Sequence, residues 1–379
     1  VQVASSSGLP LMYGMRPDEE WPFADQLGQL RPNDLVTYCF RRQPHCIVAA
    51  GQLHPAILAA RHRGILFDIG HGRGSFDFEV ARQALANEFP PDTISTDLQR
   101  GHEDQLPRHS LLSVVSKLVA EADIVVHFAA ESHVTRSIYD NTIFFETDVI
   151  GTQVVANAAV NNPVELFVHI SSSEVYGTAI TDPMDEEHPL NPMSPYAAAK
   201  AGADRLVYSY VHTYELPAVI VRPFNNYGPF QHLEKAIPNF ITSALNDQPL
   251  TVHGGGKSLR DWMFVEDTCE ALDLIMHADS DKVVGEVINL GTGVDTDILA
   301  IAQKVLSLVD KPQSLIEHVK DRPGQVSRHI SSTEKARRLL GWTAKINLDD
   351  GLQRTVEFYK NNKQWWEKFL WMKELWGQR

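Results

Sequence analysis

The chain has 379 residues, of which 43% are hydrophobic, and its 34 basic and 48 acidic side chains give a formal net charge of −14. This composition is typical of a globular protein with one large α/β unit or two modest domains. The acidic balance excludes nucleic acid as an expected partner. Three cysteines without a CxxC pair favour a reducing cytoplasm. The absence of a long apolar run or a secretory leader pattern disfavours a membrane.

Short apolar runs alternate with helical patterns in the order expected of βαβ units. The predicted strands cover residues 65–69, 93–97, 124–129, 166–171, 218–222 and 287–290. The predicted helices cover residues 77–86, 111–122, 143–160, 196–214, 237–245, 298–308, 332–340 and 348–360. We therefore predict an α/β fold, a Rossmann-like doubly wound parallel sheet with a smaller C-terminal substrate-binding domain.

The predicted domain boundaries follow this topology, because no repeat or low-complexity linker marks one. Residues 1–63 form an atypical N-terminal segment. Residues 64–225 form the Rossmann-like domain, and residues 262–290 return to it. The substrate-binding cap comprises residues 226–261 and 291–379.

The residues that follow two predicted strands carry the first functional signal, since ligands of open α/β sheets bind beyond the carboxyl ends of the strands. Ala129 and Ala130 would let a cofactor approach the backbone, although tight helix packing is the alternative explanation. Ser172, Ser173 and Glu174 follow the next predicted strand. Hydroxyls and a carboxylate at a strand end are costly unless they are solvated or used.

A tyrosine and a lysine begin the next predicted helix. Tyr196 and Lys200 are four residues apart on one helix face, directly after a proline that favours a helix start. An ordinary phenol has a pKa near 10, so a tyrosine that acts as a base at neutral pH needs a pKa lower by roughly 3. A nearby ammonium lowers it in this way. The YxxxK pattern is weak alone, and its place one helix after a serine-rich strand end makes it specific.

Several blocks of the sequence resemble the extended short-chain dehydrogenases, and within them the sugar-nucleotide 4,6-dehydratases and epimerases. The resemblance covers about residues 122–366. It rests on VVHFAAESHVTRS, ISSSEVYG, SPYAAAK, RPFNNYGPFQHLEKAIP, LRDWMFVEDTCEAL, INLGTG, DRPGQVSRH and LGW. The blocks NNYGPFQHLEKAIP, RDWMFVED and DRPG look most like dTDP-glucose 4,6-dehydratases, whereas SSSEVYGTA resembles a neighbouring group that acts on other nucleotide sugars.

The resemblance implies roles for the residues at the strand ends. Tyr196 takes the proton of a sugar hydroxyl as hydride passes to NAD. Lys200 holds the cofactor ribose and, with the cationic nicotinamide ring, lowers the pKa of Tyr196. Ser172 shares the hydrogen bond to the sugar hydroxyl. Five positions correspond to those that hold the nucleotide-diphosphate sugar in relatives: Asn226, Lys235, Arg260, Asn289 and Arg322.

Relatives also form homodimers through a four-helix interface. The resemblance therefore implies that the helices at residues 143–160 and 196–214 pair with their copies, with Ala and Val at the outer positions.

Three residues depart from the pattern of the dTDP-glucose enzymes. Ser173 stands where they carry an aspartate that serves as general acid, although GDP-mannose dehydratases have a serine there. Asp148 replaces an asparagine, and Gln325 replaces the histidine of a DRPGH element. These changes leave the substrate open.

Glu174 favours a 4,6-dehydratase, in which oxidation at sugar C4 is followed by loss of water across C5 and C6. The 4-ketone makes the C5 proton acidic, and Glu174 is placed to remove it as a general base. In a 4-epimerase or a decarboxylase of the family, Glu174 would instead cap a turn or bind a sugar hydroxyl. A third alternative is a binding protein that keeps the fold but has lost its cofactor turn.

The N-terminal region lacks the usual GxxGxxG turn. Gly70, Gly72 and Gly74 follow a predicted strand, and Asp97 ends the next one, so this region imitates a Rossmann unit with weak glycine spacing. If it serves as one, Asp97 would bind the adenosine ribose and favour NAD over NADP.

A second resemblance covers about residues 9–105, which look like a fragment of an amidohydrolase barrel related to dihydroorotases. It rests on RPNDLVTYCF, ILFDIGHGRGSFDFEVARQAL and FPPDTISTDLQRG. Tyr38 stands where a metal-binding histidine is expected, and only His71 and Asp97 match the remaining ligands. We therefore predict no metal site and disfavour a metallohydrolase.

Overall fold

The computed structural model describes residues 10–14, 22–42, 46–70, 76–93 and 122–371. The chain divides into two compact units, Val1–Glu121 and Ala122–Arg379. The predicted helix at residues 111–122 and nearly all of the predicted strand at 93–97 lie outside the described residues. Among the described helices, none combines the length and the apolar character that crossing a membrane requires.

The N-terminal unit contains a parallel sheet and a short antiparallel hairpin. The strands are β1 (Met12–Gly14), β2 (Leu35–Thr37), β3 (Val48–Ala49), β4 (Gln52–Leu53) and β5 (Leu66–Phe67), and the helices are α1 (Phe23–Gly28), α2 (Pro55–His62) and α3 (Phe78–Ala86). The parallel strands lie in the order β1-β2-β5. Helix α3 confirms the predicted helix, since the side chain of Asp77 accepts hydrogen bonds from the backbone N–H groups of Glu79 and Val80 as its N-cap.

The second unit contains nine strands among its described residues. They are β6 (Ile124–His127), β7 (Leu166–Ile170), β8 (Ala218–Pro223), β9 (Asn225–Tyr227), β10 (Leu250–His253), β11 (Leu259–Phe264), β12 (Val287–Leu290), β13 (Asp295–Asp297) and β14 (Ile316–Val319). Four of them form a parallel sheet in the order β12-β8-β7-β6. This sheet confirms the four strands predicted from apolar runs after residue 122.

Helices surround these strands, and most coincide with the predicted ones. They are α4 (Val134–Tyr139), α5 (Thr142–Phe144), α6 (Gly151–Asn161), α7 (Pro195–Tyr214), α8 (Ala236–Leu245), α9 (Val265–Met276), α10 (Ser280–Val283), α11 (Ile298–Leu308), α12 (Glu334–Leu340), α13 (Leu348–Asn361) and α14 (Lys363–Trp366). A π-helical segment, Phe145–Ile150, joins α5 to α6. Such segments occur often at functional sites.

The bounds of two helices follow from local chemistry. Ser194 caps α7, because its hydroxyl accepts from the backbone N–H of Ala197, and Pro195 occupies the first helical position. Gly341 ends α12 with a left-handed φ of 66°, which confirms the stop predicted there.

Strand β11 lies between two of the hydrophobic cores of the second unit. Its residues Trp262 and Phe264 belong to the core of the cap, together with helices α8, α11 and α13. Met263 points to the other face and packs with the parallel sheet. Because successive side chains of a strand point to opposite faces, this one strand contributes side chains to both cores.

The strand pairing changes the predicted domain boundaries. Strand β5 pairs with β2, so the described residues from 64 onward group with the N-terminal segment instead of the sheet β12-β8-β7-β6. Strand β11 pairs with β9 and β13, so residues 262–264 stay with the cap. Helix α12 and Trp342 pack in the core of the parallel sheet, because their apolar side chains find their partners there.

Helices α6 and α7 pack against each other, and the hydroxyl of Tyr210 donates to Asn157 Oδ1 at 2.6 Å. The prediction that Ala and Val occupy their outer positions is wrong, because most of these small side chains are buried in the packing of the chain itself. The exposed apolar residues on this pair and the preceding π-helical segment are larger: Phe145, Ile150, Tyr208 and Tyr214.

Candidate active site

A buried ion pair fixes the edge of the parallel sheet. Arg222 on β8 donates to both carboxylate oxygens of Asp204 on α7, each at 2.9 Å, and Ser171 Oγ donates to the same carboxylate at 2.7 Å. Arg222 also donates to the hydroxyl of Tyr176 at 2.9 Å, which donates to Asn289 Oδ1 at 2.8 Å. The network ties the carboxyl ends of β7, β8 and β12 to α7.

The serine-rich segment after β7 forms a single 3₁₀ turn, Ser173–Tyr176. Ser172 caps the turn by accepting a hydrogen bond from the backbone N–H of Glu174 at 3.2 Å. Ser173 is buried, whereas the carboxylate of Glu174 is partly exposed. The turn therefore presents two hydroxyls and a carboxylate at the end of the strand, as predicted.

Tyr196 and Lys200 lie on α7, where the structure brings them to the same strand end. The phenol of Tyr196 is within hydrogen-bonding reach of the Ser172 side chain. Lys200 is only 4% exposed, and its Nζ donates to the carbonyl of Ile170 at 2.7 Å. Ser137 supports the start of the helix by accepting from the backbone N–H of Tyr196 at 3.1 Å. The structure therefore assembles the predicted tyrosine, lysine and serine.

Within the chain alone the pKa of Tyr196 is raised, and its predicted lowering by Lys200 together with a cationic nicotinamide ring stays a prediction. Burial raises the pKa of Tyr196, and the hydrogen bond from Ser172 opposes this only in part. Burial also lowers the pKa of Lys200, which the negative charges of Asp148 and Asp204 oppose. A phenolate at neutral pH therefore requires a positive charge beyond those that the chain supplies here.

Three predicted substrate-binding cations gather around Glu174. Burial lowers the pKa of Lys235, of Arg260 and of Arg322, and in each case the negative charge of Glu174 opposes the shift. Among the described residues, none of the three forms an ion pair within 4.0 Å. Arg260 is buried, and Lys235 and Arg322 are partly buried. Partial removal of such cations from water without a paired anion is costly, so this cluster is suited to an anionic ligand.

Backbone and hydroxyl groups hold the cations in place. Arg260 donates to the carbonyls of Leu259 and Val326, each at 2.9 Å. Lys235 Nζ donates to the carbonyl of Ser132 at 2.6 Å, and Arg322 Nη1 donates to Thr135 Oγ1 at 3.4 Å. The sequence reasoning quoted the block that contains Ser132 and Thr135 but assigned them no role.

The side-chain amides of the two predicted asparagines form hydrogen bonds within the protein. Asn289 is fully buried, and its Nδ2 donates to the carbonyl of Met184 at 3.2 Å in addition to the bond from Tyr176. Asn226 Oδ1 accepts from the hydroxyl of Thr268, and its Nδ2 donates weakly to the carbonyl of Phe224 at 3.4 Å. Their predicted contact with the substrate stays a prediction.

Asp148 lies in the π-helical segment beside the strand end that carries Ala129 and Ala130. Its Oδ1 accepts from the backbone N–H of Glu131 at 2.7 Å, which holds this strand end, whereas its buried Oδ2 has no partner in the structure. Burial raises the pKa of Asp148 to about 6. The predicted approach of a cofactor to Ala129 and Ala130 stays a prediction.

Sequence reasoning missed His329, which is fully buried next to the serine-rich turn. Its Nδ1 lies 3.4 Å from Ser173 Oγ and 4.0 Å from the carboxylate of Glu174. The residue belongs to the block DRPGQVSRH, in which only Arg322 was assigned. No local pattern marks it, because the contact joins residues that are 156 positions apart.

The predicted cofactor turn of the N-terminal unit is only partly described. Gly70 follows β5 with a φ of 54°, and a Cβ there would lie 2.2 Å from Thr37 Oγ1. Packing within the N-terminal unit therefore requires this glycine. Gly72, Gly74 and Asp97 lie outside the described residues, so their roles stay predictions.

No group of three or more His, Cys, Asp or Glu suited to a metal occurs in the part of the chain that the structure describes. His71 and Asp97 lie outside it, and the resemblance of this region to an amidohydrolase fragment stays a prediction.

Known proteins match the region that carries this site. The sequence model of the GDP-mannose 4,6 dehydratase family matches residues 93–355. The low-salt glycan biosynthesis protein Agl12 of Haloferax volcanii is 44% identical over 246 residues, which are 65% of this chain and 78% of that protein. A dTDP-glucose 4,6-dehydratase of Streptomyces niveus is 41% identical over 254 residues, which are 67% of this chain and 75% of that enzyme.

Solved structures match as well. The dTDP-glucose 4,6-dehydratase DesIV of Streptomyces venezuelae, a double mutant with NAD bound, is 35% identical with a TM-score of 0.66 and covers 76% of this chain and 94% of its own. The dTDP-glucose 4,6-dehydratase of Bacillus anthracis in complex with NAD is 29% identical with a TM-score of 0.63, and the match covers 82% and 93%. These similarities confirm the Rossmann-like α/β fold, and the chain belongs to the GDP-mannose 4,6 dehydratase family of enzymes.

Proposed function

We propose that the protein is an NAD-dependent 4,6-dehydratase of a nucleoside-diphosphate sugar, which oxidises C4 and eliminates water across C5 and C6. The position of Glu174 carries this proposal. The negative charge of its carboxylate adds to the rise that burial causes in the pKa of Tyr196. The same charge opposes the fall that burial causes in the pKa of Lys235, Arg260 and Arg322. In this proposal the sugar lies between Tyr196, where C4 is oxidised, and the three cations, which bind the diphosphate. The carboxylate of Glu174 is then placed to exchange a proton with that sugar.

The residues around Lys200 fit a nicotinamide cofactor. The ammonium donates to one protein acceptor, the carbonyl of Ile170, and keeps further N–H groups for ribose hydroxyls. Related structures contain NAD. When bound, NAD accepts the hydride of C4 and later returns it to C6, so that the sugar undergoes no net oxidation.

Tyr196 takes the proton of the C4 hydroxyl, and Ser172 shares the hydrogen bond to that oxygen. Because burial raises the pKa of Tyr196, the phenol depends on positive charge close to it to act as a base near neutral pH. The cationic ring of the oxidised cofactor would supply that charge once the cofactor is bound, in addition to the ammonium of Lys200.

Glu174 removes the C5 proton, which the ketone at C4 makes acidic. Its carboxylate is held one residue after Ser173 on the rigid 3₁₀ turn, so base and hydroxyl reach neighbouring carbons of one sugar ring. Ser173 faces the departing C6 hydroxyl.

Lys235, Arg260 and Arg322 hold the diphosphate of the substrate. Two guanidinium groups and an ammonium without an ion-pair partner among the described residues match the charge of a diphosphate, and the planar guanidinium groups suit bidentate contacts with its oxygens. Asn226 and Asn289 support this side of the site.

NAD is favoured over NADP if Asp97 meets the adenosine ribose, because a carboxylate repels a 2′-phosphate. Side-by-side titration with the two cofactors tests this, and tighter binding of NADP would contradict it.

A second candidate is a nucleotide-sugar 4-epimerase or decarboxylase of the same family. Ser173 favours it, since a serine is a weaker proton donor for a departing hydroxyl than a carboxylic acid is. Product mass separates these reactions, because epimerisation leaves it unchanged and decarboxylation removes carbon dioxide instead of water.

The protein also forms a homodimer in this proposal, in which the exposed side chains of α7 and of the segment before α6 meet their copies. Phe145, Ile150, Tyr208 and Tyr214 are apolar and exposed there, which supports an interface. A monomer in light scattering at micromolar concentration would contradict it.

Location of the protein in a reducing cytoplasm stays a prediction. The cysteines Cys39, Cys46 and Cys269, which form no disulfide, support it.

The experiment incubates dTDP-glucose, UDP-glucose and GDP-mannose separately with the protein and NAD. A 4-keto-6-deoxy product in one incubation supports the proposal. Glu174→Gln should then lower its rate by about 10²–10⁴-fold, the usual loss of a general base. Glu187→Gln, a change of an exposed glutamate in the nearby loop, is the matched control. A rate for Glu174→Gln within about threefold of the wild type would show that the base assignment is wrong.

A further inference from the structure

Elimination of water needs a proton donor as well as a base. The hydroxyl at C6 departs readily only if it receives a proton as its bond to carbon breaks. In the proposed reaction Glu174 takes the C5 proton and is not the donor to the C6 hydroxyl. Ser173 cannot give up its own proton without replacement, because a serine alkoxide is too basic to persist. The proton on Ser173 must therefore be replaced as it leaves.

The tautomer of His329 is fixed by its surroundings. Its Nε2 lies 2.9 Å from the carbonyl oxygen of Gly177, which can only accept, so Nε2 carries a hydrogen. In the neutral ring, Nδ1 is then an acceptor. It faces Ser173 Oγ at 3.4 Å and the carboxylate of Glu174 at 4.0 Å. One nitrogen atom thus lies between the two groups that exchange a proton with the substrate.

We propose that His329 is a positioning residue that relays the proton collected by Glu174 to Ser173, which delivers it to the departing C6 hydroxyl. This inference rests on the proposed 4,6-dehydratase function and adds a residue to it. The 3.4 Å contact with Ser173 is a long hydrogen bond, and the 4.0 Å separation from Glu174 is beyond hydrogen-bonding distance, so the relay requires the carboxylate of Glu174 to approach Nδ1 when substrate binds.

The elimination step is balanced within these three residues. The C5–H bond breaks, its electron pair forms the C5–C6 double bond, and Glu174 takes the proton. Glu174 passes it to His329 Nδ1, His329 passes it to Ser173 Oγ, and the proton of Ser173 leaves with the C6 oxygen as water. All three residues return to their starting state. Protonation of C5 later in the cycle consumes one proton, which the proton released from the C4 hydroxyl balances.

The environment of His329 suits a transient proton carrier. The ring is fully buried. Burial lowers its pKa to about 4, a shift that Glu174 opposes and that Arg260 and His188 reinforce. At neutral pH the ring is therefore an acceptor, and its protonated form is acidic enough to give the proton up again quickly.

The test uses single turnovers of dTDP-glucose, UDP-glucose or GDP-mannose, whichever the wild type converts, with NAD. Oxidation at C4 is followed by the absorbance of reduced nicotinamide, and elimination by mass. His329→Gln should slow elimination by about 10²-fold while oxidation and KM stay within about threefold of the wild type. Ser173→Ala breaks the same relay without touching the histidine and should give the same separation.

A rescue variant distinguishes a relay from a structural contact. Ser173→Asp combined with His329→Gln places a carboxylic acid at the departing oxygen, and we expect it to recover elimination to within about tenfold of the wild type. His188→Gln removes another buried imidazole, which bonds Ile180 and Pro189, and serves as the control for packing loss.

Two results overturn the relay. Elimination by both single variants within about threefold of the wild type would show that no proton passes through His329 and Ser173. An equal fall in oxidation and elimination, without rescue by Ser173→Asp, would assign His329 a purely structural role. If the wild type oxidises none of the three sugars and releases no water, the proposed function itself fails, which is a different outcome from either.

Discussion

Two groups of charged residues in the second unit are built differently. In the first, Arg222 and Asp204 form a two-pronged ion pair, and Arg205, Ser171 and Tyr176 satisfy its remaining groups. In the second, the side chains of Lys235, Arg260 and Arg322 donate to backbone carbonyls and neutral side chains, and the negative charge of Glu174 opposes the fall in the pKa of all three.

The difference separates structural charges from functional ones. In a closed ion pair, the attraction between the two charges offsets most of the free energy lost when they leave water. In a group of like charges, this loss is offset only when an anion binds. Variants of the first group should therefore change stability, and variants of the second group should change ligand affinity. Tyr196, the proposed catalytic base, should show a third kind of effect, on rate alone.

The largest effect is expected for Tyr196→Phe. Loss of the phenol should lower the rate of C4 oxidation by about 10²–10⁴-fold, with a change in unfolding free energy of less than about 1 kcal/mol, because the ring stays and only a hydroxyl is removed. The measurement is the single-turnover formation of reduced nicotinamide, with the exposed Tyr208→Phe as control. An unchanged rate of C4 oxidation in Tyr196→Phe would show that Tyr196 is not the catalytic base.

The second prediction concerns the closed ion pair. Asp204→Asn leaves Arg222 buried without a counter-charge and should cost about 3–5 kcal/mol of unfolding free energy in urea. Burial raises the pKa of Asp204, but the hydrogen bonds and charge of Arg222 outweigh this and hold it at about 2. The stabilisation is therefore present above a pH of about 4 and is lost as the pH falls towards 2. Asp273→Asn, on the exposed surface of α9, is the control.

The third prediction concerns the open cluster. Arg260→Met should weaken binding of dTDP, UDP or GDP by about 10–100-fold in calorimetry, because a charged hydrogen bond to phosphate contributes about 1.5–3 kcal/mol. Its unfolding free energy should stay equal or rise, since a buried unpaired cation is removed. The control Arg354→Met removes a surface guanidinium that pairs with Glu266 at 3.0 Å. Lost stability with unchanged affinity would place Arg260 among the structural charges.

The smallest effect is expected at Asp148. Burial raises its pKa to about 6, so this carboxyl stabilises the fold fully only below its ordinary pKa near 4, and the stabilisation is lost as the pH rises through about 6. Asp148→Asn should remove this dependence and reduce the stability difference between about pH 4 and pH 7.5 by about 2 kcal/mol, because a pKa difference of one unit corresponds to about 1.4 kcal/mol. Urea unfolding at the two pH values measures it, and an unchanged difference would contradict the raised pKa.

The sequence could predict the elements whose chemistry is local. The apolar run before Ser171 and the Ser-Pro start before Tyr196 each specify a strand or a helix by themselves, and the structure has β7 and α7 there. The serine-rich turn and the YxxxK pair could be predicted to lie close together, because the turn follows one strand of the parallel sheet and the pair begins the helix that comes next.

The contacts that required the folded chain could not be predicted. His329 reaches Ser173 from a distant loop, and α12 packs on the parallel sheet instead of the cap. The rise in the pKa of Tyr196 depends on burial, which the sequence alone does not give. The hydrogen bonds that the amide oxygens of Asn226 and Asn289 accept from Thr268 and Tyr176 also depend on the folded chain.

The mass of the product tests the central claim most directly. The wild-type protein is incubated with NAD and, in turn, with dTDP-glucose, UDP-glucose and GDP-mannose, and the sugar nucleotides are analysed by mass spectrometry. The proposed function predicts that one of them loses one water and yields a 4-keto-6-deoxy sugar. A product of unchanged mass with inverted C4, without any loss of water from the three sugars, would contradict it.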